Sequence, residues 1–315
     1  MSDILFTYEV TITLFIASTL FITLSVAFVN SLYILKNYQQ NATSQIQYAL
    51  EKRSYLVTTI IYIASIIKIV LLPYFTFTID KLSNIIPGAM CGAGVIDANS
   101  YGEPLIIIKI LIIILTMLWL SLNKEDLLSR DFRYFRKKIW FFIFIYLLIV
   151  IEFFLEYQFF MNLTTINPVS CCSNLYSLTQ DINPLPFNIS TSELVFIFYF
   201  IYTLLIIFNY FQRRYILAIL SIFYIYIAYL SIVYFFSTYI YQLPSHKCPY
   251  CLLQSEYYFI GYIIYSSIIV ATFYTFQSIL LNKNSFGKSI FWYTLATFFI
   301  SLNFVFYLMI NRTFL

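Results

Sequence analysis

Apolar residues run along this chain in long blocks, broken at intervals by short polar stretches. The blocks are too long for strands and too uniformly apolar for the surface helices of a soluble domain. A helix needs about 20 apolar residues to cross the hydrocarbon core of a bilayer. Eight blocks of that order are present, at 10–35, 55–77, 105–122, 140–161, 194–211, 215–243, 252–280 and 290–310. They predict an all-α, polytopic transmembrane bundle of about eight helices, forming a single integral membrane domain over 1–315. The link Phe211-Gln-Arg-Arg-Tyr215 is so short that the fifth and sixth helices form a tight hairpin.

Composition strengthens this reading. Of 315 residues, 61% are hydrophobic and 10% charged, against about 25% charged in ordinary soluble domains. Aromatics make up 21%. A compositional bias toward Ile, Phe, Tyr and Asn accounts for most of that excess, and interfacial Tyr belts for part of the rest. Residues 1–9 carry no basic residue ahead of the first apolar run, unlike a cleavable signal peptide.

Charge placement sets an orientation. Alternate loops hold Lys36, Lys52 and Arg53; Lys124, Arg130, Arg133, Arg136, Lys137 and Lys138; Arg213 and Arg214; and Lys283 and Lys288. The opposite side holds Lys81, Lys247 and Arg312. Thirteen against three places the richer side in the cytoplasm and both termini outside. The expected location is a bacterial cytoplasmic membrane, with the cysteine-bearing loops in the periplasm. The basic run at 133–138 abuts the fourth helix and reads as a topology signal contacting anionic lipid. No P-loop or dinucleotide fingerprint is present, and no nucleic-acid partner is expected.

Lys68, Lys109, Glu152 and Glu156 fall inside predicted spans. A lone charge at the bilayer centre costs at least about 2.5–3.5 kcal/mol, so these residues need one another. Counted from the outer helix ends, Lys68 and Glu152 lie at one depth, and Lys109 and Glu156 at another. Two ion pairs follow, Lys68–Glu152 and Lys109–Glu156. They either tie the helices together or form a proton or ion path of a transporter.

All five cysteines fall in outer loops. The second loop holds Cys91 and four of the six glycines of the whole chain, at positions 88, 92, 94 and 102, which implies a specific backbone path. The fourth loop holds the adjacent pair Cys171-Cys172, and the sixth reads His246-Lys-Cys248-Pro-Tyr-Cys251. The predicted helix at 252–280 would put Cys248 at a helix N-terminus, where the dipole favours a thiolate. Cys-x-x-Cys is the common redox spacing, since the second thiol resolves a mixed disulfide formed by the first. His246, the sole histidine, could tune that thiol or ligate a metal. A single histidine excludes bis-histidine haem, and no haem is expected.

Cys248-Pro-Tyr-Cys251-Leu-Leu-Gln254 resembles the first-loop motif of the DsbB family, Cys-Pro-Leu-Cys-Ile-Leu-Gln-Arg, over seven residues. Its placement is similar to the helix-capping pair of vitamin K epoxide reductase homologues. The resemblance implies electron transfer to a quinone beside the pair, with Gln254 and Glu256 near it, and a second cysteine pair facing a soluble partner. Cys91 with Cys171 or Cys172 would supply that second pair. The leading expectation is therefore a membrane thiol–disulfide oxidoreductase acting on an extracytoplasmic thiol protein. The alternative is an accessory protein that delivers copper, or zinc, to an extracytoplasmic metalloenzyme. Its ligands would come from Cys171, Cys172, Cys248, Cys251, His246 and Met90. Both readings require the outer loops to converge.

Overall fold

A computed structural model describes residues 3–38, 44–129, 134–165, 168–169, 185, 189–243, 246–281 and 285–312. Most of these residues are helical, with no strand among them. Among the described residues, eight helices are long and apolar enough to cross a membrane, which defines an integral membrane protein in a lipid environment. The helices are α1 (Tyr8–Asn37), α2 (Gln45–Leu82), the short α3 (Gly92–Ile96), α4 (Gly102–Leu128) and α5 (Phe135–Met161). They continue with α6 (Thr191–Tyr210), α7 (Arg214–Ser231), α8 (Ser237–Tyr241), α9 (Ile260–Leu280) and α10 (Phe286–Asn311). A π-helical turn, Ile232–Phe236, joins α7 to α8 within one span.

Two compact units divide the chain, one of 1–82 and 98–166, the other of 83–97 and 167–315. Each carries four of the spanning helices.

In the first unit, α1, α2, α4 and α5 enclose a core that includes Leu24, Ile61, Ile112, Trp119, Phe142 and Ile149. Lipid does not drive apolar helices together, so close packing and interhelical hydrogen bonds must. Thr13 meets Thr78 at 3.3 Å and Ser25 meets Tyr146 at 2.8 Å. The helix α2 has 38 residues and would be about 57 Å long, well beyond the hydrocarbon thickness. Its first turns, carrying Glu51, Lys52 and Arg53, form helix where the hydropathy pattern predicted a loop.

In the second unit, tyrosines do much of the tying. Tyr199 hydrogen-bonds Ser301 at 2.7 Å, the Tyr202 hydroxyl donates to Thr294 at 2.9 Å, and Tyr224 meets Thr297 at 2.8 Å. These bonds staple α6 and α7 to α10. The tyrosine excess therefore has a packing use beyond compositional bias and interfacial belts. A capping box starts α6: Ser190 Oγ accepts from the Glu193 amide, and the Glu193 carboxylate accepts from the Ser190 amide. The turn between α6 and α7 is as short as predicted, and Gln212 takes a left-handed conformation there, φ 53°.

Two sequence expectations need correction. The last lysine of the third predicted loop, Lys138, lies in the first turn of α5, buried and paired with Asp126 at 2.7 Å. Its ammonium also donates to Asn123 at 3.3 Å. The pattern hid this because Asp126 and Lys138 flank the turn and read as solvated charge. The second correction concerns the seventh span. It begins at Ile260, not at Leu252, for reasons that bear on the cysteine site.

Candidate functional site

Three cysteines converge in the second unit. The sulfurs of Cys91, Cys248 and Cys251 all lie within 4.8 Å of one another. The sulfurs of Cys91 and Cys248 are 3.4 Å apart. All three side chains are buried, with exposures of 1%, 1% and 5%. No disulfide joins any two of them.

Local structure holds each one. Cys91 precedes α3 in an extended conformation, and its carbonyl accepts from the Gly94 amide at 3.1 Å. Two glycines make its placement possible. Gly88 has φ 84°, and a Cβ there would stand 2.4 Å from the Val169 carbonyl oxygen. The Val169 amide donates to the Pro87 carbonyl at 2.9 Å. Gly92 lies under the Tyr250 ring, where a Cβ would come within 2.2 Å of a ring carbon. The glycine-rich path expected of this loop is thus one that brings Cys91 against the Cys-Pro-Tyr-Cys segment.

Tyrosines clamp that segment. The Tyr241 hydroxyl donates to the Cys248 carbonyl, and the Tyr265 hydroxyl donates to the Pro249 carbonyl at 2.7 Å. Cys251 opens a single 3₁₀ turn, Cys251–Leu253. The chain then extends at Gln254, and Tyr258 and Phe259 are both left-handed, φ 54° and 55°. Consecutive left-handed residues cannot continue a right-handed helix, so α9 starts only after them. Gly261 lets its first turn sit against Leu252, where a Cβ would lie 2.9 Å from the backbone. The motif therefore does not cap a long helix. The expected dipole effect on Cys248 is withdrawn with it, since a single 3₁₀ turn aligns too few peptide dipoles. Cys251 has the opposite tendency to a reactive thiolate. Hydrogen bonding to Cys248 and then Cys91, with burial, pushes its thiol above the usual range.

Other sequence candidates fall into place around this triad or outside it. Met90 is 74% exposed, next to Cys91 in sequence but outside the cluster. His246 packs edge-on against Tyr241, with ring centroids 4.5 Å apart. Its Nε2 is buried with no hydrogen-bond partner among the described residues. It is not the freely solvated side chain that loop histidines usually are. Glu256 is exposed and Gln254 half-buried. Cys171 and Cys172 lie outside the described residues. Sequence reasoning gave no role to Tyr250 inside the motif and missed Tyr241 and Tyr265, which nothing marked in a chain of 30 tyrosines.

A second cluster lies in the first unit. Lys68 pairs with Glu152, whose other oxygen takes Lys109 at 2.9 Å; Lys109 also reaches Glu156 at 3.0 Å. Two cavities of about 10 Å³ flank Lys68, each of a size for one water. Two lysines and two glutamates sum to zero charge, which is how such a group is kept in a low-dielectric interior.

Comparison with protein-family models, curated proteins and solved structures finds no match to this chain.

Proposed function

We propose that this protein is a membrane thiol–disulfide oxidoreductase whose working centre is Cys91, Cys248 and Cys251. The observation that carries the reading is the convergence of three buried sulfurs within 4.8 Å, drawn from two loops 157 residues apart in sequence. A disulfide needs its sulfurs about 2.05 Å apart and Cα atoms within about 7 Å. The Cys91 and Cys248 sulfurs stand 3.4 Å apart, about 1.4 Å beyond bonding distance. The Cys248–Cys251 spacing allows the alternative bond, and exchange moves the disulfide from one pair to the other without net oxidation. Net oxidation of two thiols releases two electrons and two protons. A membrane-dissolved quinone is the acceptor class we assign, becoming a quinol. The excess of basic residues in alternate loops supports a site on the non-cytoplasmic face, where disulfides persist.

Differential alkylation and mass analysis of the full chain, purified in detergent, tests the reading. A quinone added to the reduced protein should yield a disulfide within the triad, reversed by dithiothreitol. Cys248→Ser should abolish turnover of a dithiol substrate. Exchange should accelerate as pH rises, because the Cys251 thiol is held protonated above the ordinary thiol range. Thiols that stay reduced under every oxidant, in a folded protein, would refute the assignment.

A further inference from the structure

The same three sulfurs satisfy a different chemistry, one that stands whether or not the thiols cycle. We propose that reduced Cys91, Cys248 and Cys251 bind a single thiophilic metal ion, of the Cu(I) or Zn(II) class, as a three-thiolate site. Three thiolates about 2.3 Å from a common centre in a plane lie ~4 Å from one another. Cys91 and Cys248 are 3.4 Å apart and all separations fall within 4.8 Å. Each sulfur therefore needs to move by well under an ångström. A disulfide would use two of the three sulfurs; a metal ion uses all of them.

The site is held by packing, before any ion arrives. Gly92 beneath Tyr250 fixes Cys91, the Tyr241 hydroxyl fixes the Cys248 carbonyl, and the Cys251 turn is seated on Gly261 through Leu252. Burial of the sulfurs shields bound metal from water and from competing ligands. Soft thiolates select Cu(I) and Zn(II) over hard cations. The two candidate ions differ in coordination. Cu(I) is satisfied by three sulfurs, whereas Zn(II) requires a fourth ligand. His246, two residues before Cys248, holds a buried Nε2 with no hydrogen-bond partner among the described residues. That nitrogen lies outside the sulfur cluster, and we assign it as the fourth ligand that Zn(II) would recruit. The ligand set differs from the one expected from sequence: Cys91 enters, Met90 drops out, and Cys171 and Cys172 are not required.

The test uses the full chain, purified and reduced anaerobically, titrated with Cu(I) or Zn(II) against a chromophoric chelator. One ion should bind per chain. Cys91→Ser should weaken binding by at least the ~10–100-fold that loss of even an outer-shell partner costs. The double variant C171S/C172S should bind as the parent does. His246→Ala should leave Cu(I) affinity unchanged and weaken Zn(II) at least tenfold; equal loss of both ions overturns the three-sulfur assignment. Unchanged affinity in Cys91→Ser, or lost affinity in C171S/C172S, overturns it too. Should Cys91→Ser fail to fold, peptide mapping of the parent decides: bound metal must protect Cys91, Cys248 and Cys251 together from alkylation, and protection of only two refutes the site. Disulfide formation in metal-free protein is scored separately, so failure of the redox reading and failure of the metal site give different results.

Discussion

Glu152 receives Lys68 on one carboxylate oxygen and Lys109 on the other, and Lys109 passes on to Glu156. Removing any one of the four therefore leaves a net buried charge. Lys68→Met should destabilise by about 3–5 kcal/mol, the usual cost of breaking a buried pair from one side. The double variant K68M/E156Q keeps the Lys109–Glu152 contact at 2.9 Å and restores neutrality. It should recover much of the loss, a coupling that a double-mutant cycle of thermal stability in detergent measures. Equal or greater loss in the double variant would show that shape, not charge balance, sets the cost. The pairing was legible from depth along the helices alone. The Lys109–Glu152 contact was not, because depth cannot say how a flexible side chain bridges two acceptors four residues apart. The burial of one His246 ring nitrogen, with the ring edge-on against Tyr241, was not legible either.

At the scale of elements, hydropathy located all eight spans but set some of their ends wrongly. It ran α9 back to Leu252 because Leu252, Leu253 and the aromatic residues 257–259 are apolar enough to bridge the polar stretch between them. The chain breaks there for backbone reasons that no hydropathy average contains. It also missed the π turn Ile232–Phe236, whose sequence is indistinguishable from ordinary membrane helix. Glycine was the better guide, since Gly88, Gly92 and Gly261 each mark a close approach. Gly261→Ala should be costly, because the new Cβ meets backbone rather than a movable side chain. Overpacking of this kind costs about 1–3 kcal/mol. A smaller loss of folded protein, with the Cys91–Cys248 crosslink still formed at the parental rate, would mean that α9 does not position the cysteine turn.

At the scale of the whole molecule, the orientation rests on loop charge. A membrane-impermeant maleimide applied to intact, reduced cells should label residues on the cysteine side, Met90→Cys above all, since that position is 74% exposed. Labelling that appears only after permeabilisation would reverse the topology and remove the oxidising compartment from the argument. The number of helices and their chemistry were visible in the sequence, but the division into units was not. Nothing in the hydropathy pattern says that residues 83–97, which lie between two helices of the first unit, belong to the second.

That allocation departs from the order of the chain. The segment 83–97 leaves the first unit after α2 and returns to it at α4, and in between it supplies Cys91, Gly88 and Gly92 to the second. A chain severed between residues 166 and 190 would leave the amino-terminal fragment with a loop still built into its counterpart. Withdrawing that loop would unmake the cysteine cluster, so oxidation or metal binding there would be read out as retention of the loop.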